Sequence, residues 1–347
     1  MNAEHLALRD SVRALLAKHS DVRSAMASPS GYDTDLWARL CGEIGVAALA
    51  VPEVYGGLGA GLAESHVVLE ELGRTLTPAP LLGSAVVAAR ALLATGDERA
   101  CHRLLPGIAG GTAVAALAWT GLDGRWDPDE VAVTASGALD GTAHYVLDGD
   151  VADVLLVAAR DSDGISLWEV DPAQAGVERE HVPTMDPTRR LATVTLTGAV
   201  GHRLGPAALP LVRDVACAAL SAEQVGTAAR CLELTVEHTG TRIQFGRPIG
   251  GFQALKHRMA DLHVLVETAR SASGAAVRDG DPVSAAVAKV HCSESLCRVA
   301  AEMVQLHGGI AITWEHDAHL YFKRAHGSAR LFGSPADHVA RLGAQGF

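Results

Sequence analysis

Hydrophobic residues along this chain change their spacing twice. From residue 4 to about residue 110 they recur with a helical period broken by short interruptions. Leu6, Val12, Leu15 and Leu16 share one stripe, and Leu36, Leu40 and Ile44 share another. Val67-Val68-Leu69-Glu70-Glu71-Leu72 runs into Gly73, a helix stop, and Pro78 and Pro80 break the chain ahead of an Ala-rich helical run over 82–94. From about 112 to 203 the period falls to two and β-branched residues take over. Val131-Ala132-Val133-Thr134, Tyr145-Val146-Leu147, Val154-Leu155-Leu156-Val157, Ile165-Ser166-Leu167-Trp168 and Thr193-Val194-Thr195-Leu196-Thr197 alternate between Gly/Asp turns. Several short strands at this spacing predict a small β-barrel or sandwich. After Pro210 the helical period returns in long stretches. Leu255, Met259, Leu262, Val266 and Ala269 recur until Gly280-Asp281-Pro282, and a second run over 284–306 stops at Gly308-Gly309. Long helices with short connections predict a bundle. The reading is a mainly helical α+β chain with a helical domain over 1–110, a β domain over 111–204 and a C-terminal four-helix bundle over 205–347.

Composition narrows the function. The 347 residues include 40 acidic and 29 basic side chains, a formal charge of −11, and no basic block. That balance argues against a nucleic-acid partner, whose phosphates call for clustered Lys and Arg. The polar N-terminus does not read as a signal peptide, and no run of about 18 apolar residues predicts a membrane span. The six Cys show no C-x-x-C spacing, so they read as small hydrophobes in a reduced cytoplasm. Gly56-Gly57-Leu58-Gly59-Ala60-Gly61 has the glycine density of a dinucleotide loop but lies between helical segments, so we read it as a turn. His316 and His319 stand three apart without a third convergent ligand, and we assign no metal site to them.

Two longer segments are more specific. One is Thr241-Arg242-Ile243-Gln244-Phe245-Gly246-Arg247-Pro248-Ile249-Gly250-Gly251-Phe252-Gln253, and the other is Gln305-Leu306-His307-Gly308-Gly309-Ile310, followed by Tyr321-Phe322-Lys323-Arg324-Ala325. With Val51-Pro52-Glu53-Val54-Tyr55-Gly56-Gly57 and Leu69-Glu70-Glu71-Leu72-Gly73-Arg74, they resemble the flavin-dependent acyl-CoA dehydrogenases over essentially the whole chain. The resemblance implies α,β-dehydrogenation of an acyl-CoA thioester with FAD as hydride acceptor, since no side chain can accept a hydride. It also implies that Arg242, Gln244, Phe245, Gln253, Gln305, Gly308 and Gly309 reach across an interface to a neighbouring subunit's FAD. Arg242 offers a planar fork of donors for the pyrophosphate, and Gly308-Gly309 lets backbone approach it.

The half-site for the chain's own flavin departs from the family pattern. Thr-Glu-Pro and Gly-Ser-Asp are replaced within Ala118-Trp119-Thr120-Gly121-Leu122-Asp123-Gly124-Arg125, and the Trp-x-Thr strand reads Tyr145-Val146-Leu147. The catalytic glutamate of a Glu-Gly-Thr step falls on Phe332. The alternative base position, nine residues before a Val-Gly pair, falls on Ala216. No catalytic residue is therefore assigned. The resemblance is closest to short, base-lacking subunits that pair with a catalytic acyl-CoA dehydrogenase chain as α2β2 assemblies acting on bulky steroid-derived acyl-CoAs. Two other readings stay open: a homo-oligomeric dehydrogenase whose base has moved to Asp214 or Glu223, and a flavin-free acyl-CoA-binding scaffold.

Overall fold

The computed structural model describes residues 2–344 and 346. Helices come first: α1 (Ala3–His19), α2 (Val22–Ala27), α3 (Thr34–Arg39), α4 (Leu62–Thr75), α5 (Ala89–Ala94) and α6 (Glu98–Ala109). Asn2, Asp21, Asp33 and Asp97 open four of them by accepting amide hydrogen bonds that a helix start leaves free. The helical run expected at 82–94 is divided. Leu81–Ala88 is wound as π-helix, every residue of it buried, and only Ala89–Ala94 is α. Within the π segment Ser84 Oγ accepts the Ala115 N–H at 2.8 Å, tying it to the first strand. The glycine-rich run lies in the loop between a 3-10 turn (Glu53–Tyr55) and α4. A Cβ on Gly57 would overlap the Val51 carbonyl oxygen, so close backbone packing requires that glycine.

Eight strands follow: β1 (Ala115–Ala118), β2 (Val133–Ala135), β3 (Leu139–Leu147), β4 (Val154–Asp161), β5 (Gly164–Val170), β6 (Val177–His181), β7 (Leu191–Ala199) and β8 (Gly201–Pro206). They form one sheet in the order β6-β7-β3-β2-β4-β5-β8, with β1 beside β4. The β1/β4 and β2/β4 pairs are parallel and the others antiparallel. In β7 the period of two is plain: Ala192, Val194 and Leu196 are buried while Thr193 and Thr195 are not. The strand expected from residue 131 begins only at Val133. The alternation also misses β1, a fully buried Ala-Ala-Leu-Ala, and the charged edge strand β6.

The bundle comprises α7 (Leu209–Thr241), α8 (Gln253–Asp279), α9 (Pro282–His307), α10 (Ala318–Arg330) and α11 (Pro335–Ala344). Leu262, Val266 and Ala269 face inward from α8, which ends at Gly280 with φ +65°. Asp281 then opens α9 by accepting from Val283 and Ser284. Helix α4 lies directly against α7. A Cβ on Gly226 would overlap the Glu70 carbonyl oxygen, and one on Gly73 would overlap that of Glu223. The glycine of the Val225-Gly226 pair is thus a helix-crossing residue. No helix among the described residues is long and apolar enough to cross a membrane.

Candidate functional site

The seven residues expected to meet a neighbour's flavin gather at one end of the bundle. Helix α7 ends at Thr241, and Arg242 turns the chain into a two-residue hairpin in which Gln244 pairs with Arg247 and Ile243 with Pro248. The Ile249 N–H donates to the Arg242 carbonyl at 2.9 Å and closes it. Phe245, at φ +50°, caps the hairpin with 91% of its surface exposed, although Phe is a poor residue for that conformation. Arg247 stacks over the Phe252 ring at 4.0 Å, bracing the turn just ahead of Gln253. At the end of α9, Gln305, Gly308 and Gly309 are exposed as well. Gly308 has φ +69° and ψ −147°, a conformation essentially reserved for glycine. Neither Gly308 nor Gly309 has another group within 4 Å of where a Cβ would stand, so their backbone faces outward unobstructed.

Histidine stacking joins the two segments. His238, on the last turn of α7, stacks on His307 of α9 with ring centroids 4.3 Å apart, and His316 packs against His307 at 4.8 Å. His307 Nδ1–H donates to the Met303 carbonyl at 2.8 Å. Burial pushes His307 down to about 4, and the neighbouring His238 and His316 push the same way, so the His307 ring is neutral at ordinary pH.

The two expected base positions also come together, in apolar surroundings. Phe332 is 1% exposed and shares one core cluster with Ala216, Trp119 and Trp126. Its ring meets Trp126 edge-on at 5.0 Å, and Trp126 meets Trp119 at 5.6 Å. Backbone strain accompanies the packing, because Phe332 has φ +61° and Trp126 φ +57°. The Phe332 turn is gripped from below: His338 Nε2–H donates to the Phe332 carbonyl at 2.9 Å, and buried Lys289 Nζ donates to the Ser328 and Ala329 carbonyls. Trp126 is a site residue that motif comparison missed. Two of the five tryptophans, Trp119 within the segment 118–125 and Trp126 just after it, stand only seven residues apart, and that was the available signal.

Neither displaced carboxylate is free for proton transfer. Glu223 accepts from Arg189 Nη2 at 2.5 Å and lies 3.6 Å from Arg324. Asp214 is paired with Arg341 and stands 3.7 Å from Arg213. The Glu223 ions belong to a larger buried group in which Arg324 binds Asp186 and Thr188, fastening α10 to the loop before β7. Sequence spacing gave no hint of that group, since its members lie up to 138 residues apart.

FAD fits one half of this arrangement. The exposed Arg242 guanidinium and the bare Gly308-Gly309 backbone suit a diphosphate. The aromatic wall of Trp119, Trp126 and Phe332, with Leu147 where a hydroxyl donor is expected, does not suit a flavin ring and a thioester beside a base.

Comparisons with known proteins bear on the family and the fold. The model for the acyl-CoA dehydrogenase N-terminal domain matches residues 2–112, and that for the acyl-CoA dehydrogenase C-terminal domain matches residues 214–344. Acyl-CoA dehydrogenase IpdE2 of Mycobacterium tuberculosis is 47% identical over 342 residues, spanning 98% of this chain and 96% of its own. IpdE2 of Mycolicibacterium smegmatis is 44% identical over 352 residues, spanning all of both. Among solved structures, a variant of the Tcur3481–Tcur3483 steroid ACAD superposes with a TM-score of 0.89 at 33% identity, covering 98% of this chain and 97% of that one. The ChsE4–ChsE5 complex from Mycobacterium tuberculosis superposes with a TM-score of 0.91 at 28% identity, covering 99% and 97%.

Proposed function

This chain belongs to the acyl-CoA dehydrogenase family, and from that premise we propose that it is the subunit that completes a catalytic partner's FAD site. One observation supports the reading: Phe332, at the position where the resemblance puts the family's base, is buried with its ring against Trp126. General-base catalysis contributes roughly 10²–10⁴-fold, and an α proton beside a thioester does not leave at a useful rate without it. Arg242, Gln244, Phe245, Gln253, Gln305, Gly308 and Gly309 are then the residues presented to the partner's FAD. FAD bound there supplies the hydride acceptor that the chain itself lacks.

The partner is a second chain of the same family with its base in place, and the assembly is α2β2 with one FAD for each pair of unlike chains. Its substrate is a bulky, steroid-derived acyl-CoA, a choice supported by the likeness to a steroid ACAD. Asp214 and Glu223 are held by arginines, which disfavours a homo-oligomer with a relocated base. The test is co-expression with a candidate partner, a chain of the same family that keeps the base, followed by flavin absorbance per mole of each polypeptide. One FAD per unlike pair is expected, with a colourless, self-associating or poorly soluble chain when it is made alone. One FAD per polypeptide overturns the proposal.

A further inference from the structure

The aromatic wall leaves a cleft beside it. A cavity of about 490 Å³ opens between the sheet and the end of α10, with Trp126, Tyr145, Met185, Leu191 and Leu331 as its apolar lining. Met185 is 52% exposed at this cleft, a large apolar side chain left in water. Backbone strain concentrates here: of the six non-glycine residues with positive φ among the described residues, Trp126 and Tyr145 line the cleft and Phe332 packs behind Trp126. Bulky residues adopt this conformation only under strain, and such outliers gather at ligand clamps.

Once internal ion pairs among the described residues are counted, the lining keeps one cation, Arg330, and one carboxylate, Asp337, the latter held by hydrogen bonds from Ser334. Its carboxylates are already engaged. Asp186 is held by Arg324 and Thr188, Asp337 accepts from the Ser334 N–H and hydroxyl, and Asp123 faces Arg125 at 3.4 Å. Its cations are not all engaged. Arg330 makes no ion pair among the described residues, and Arg189, its side chain 10% exposed, has a buried Nε–H with no partner. A buried, unpartnered guanidinium N–H calls for an acceptor.

We propose that this cleft is a ligand site that takes an organic anion, a free carboxylate on an apolar body of on the order of ten to twenty non-hydrogen atoms. The carboxylate lies toward Arg189 and Arg330, where charge-assisted hydrogen bonds are available. The body lies along Trp126, Tyr145, Met185 and Leu331. The site needs neither flavin nor a base, so it stands whether or not the chain completes a partner's FAD site.

Titration of the purified full chain, or of its complex with the partner, tests this with sodium decanoate as probe and tryptophan emission as readout, because Trp126 lines the cleft. Saturable binding is expected, with decylammonium and inorganic phosphate failing to reproduce it. Arg330→Glu and Met185→Glu change exposed side chains, so both variants should keep wild-type far-ultraviolet circular dichroism. Each should weaken decanoate at least about tenfold, consistent with losing one charge-assisted contact or placing a like charge at the mouth. Unchanged affinity in both variants overturns the proposal, and so does equal binding of decylammonium. A response to phosphate alone removes the apolar half of the claim and overturns it too. A shift in flavin absorbance without a tryptophan response places the probe on the partner, with the same consequence.

Discussion

Replacing Phe332 with Glu introduces the residue type that the resemblance places at this step, and it should yield a less stable chain with no dehydrogenase activity of its own. The magnitude follows from the surroundings. Phe332 is 1% exposed and packs edge-on against Trp126, so removing its ring forfeits most of the roughly 3–5 kcal/mol associated with deleting a buried phenylalanine; the glutamate stem returns part of that. The new carboxyl group would sit among Ala216, Cys217, Trp119 and Trp126, where desolvation raises a carboxyl pKa by up to about 3–5 units. An acid whose folded-state pKa is raised stabilises the fold fully below its unfolded pKa, and that contribution is lost as pH rises toward the folded value. The deficit of Phe332→Glu should therefore be about 2–4 kcal/mol near pH 5 and grow by roughly 1.4 kcal/mol per pH unit above that. Against a total stability of about 5–15 kcal/mol, much of the variant would be unfolded by pH 8. Urea unfolding of both proteins at pH 5, 6, 7 and 8, with acyl-CoA oxidation measured alongside, reads both quantities. A deficit independent of pH would refute the apolar seat, and oxidation by the isolated variant would refute the loss of the chain's own flavin half-site.

Other outcomes follow from the same geometry. Arg242→Ala should leave the fold intact, because the side chain is exposed, yet lower FAD retention by the assembled complex roughly tenfold to a hundredfold, the worth of one bidentate charged contact; flavin content after extended dialysis measures it. Gly226→Ala should destabilise by at least about 3 kcal/mol, since a Cβ there meets the Glu70 backbone and the two helices must part; wild-type thermal stability would contradict the crossing. Burial pushes the Asp148 carboxyl up to about 7, with nearby Asp150 and Glu223 adding to the effect of desolvation. Its contribution to stability is present below about pH 4 and is lost as pH rises through 7. Asp148→Asn tolerates the same positive φ and should gain stability over the wild type at pH 8 but not at pH 4, which denaturation at the two pH values checks.

The helical period was legible in α8 because that helix keeps one buried stripe, with Leu262, Val266 and Ala269 inward-facing as their spacing predicts, whereas α7 is buried on every face over 216–229 and shows no such stripe. Strands were legible where β-branched residues alternate, as in β7, but not where a strand is buried on both faces. β1 has no alternation to detect and takes its identity from pairing with β4. The exposed half of the candidate site could be read as motif because it is contiguous, Arg242 to Gln253 in one run and Gln305 to Gly309 in another. The aromatic wall could not, since Trp119, Trp126 and Phe332 are joined only by folding. That phenylalanine stands at the expected base position is visible in the sequence; that Trp126 and Trp119 pack about it is a tertiary fact.

Helix α7 begins near Ala216's end of the molecule and delivers Arg242 at the other, 26 residues along one unbroken rod. At about 1.5 Å per residue the two positions stand roughly 39 Å apart. Selection could therefore treat them as separate traits. A substitution in the apolar seat around Ala216 leaves the shape of the far hairpin untouched, because the whole length of the helix lies between them.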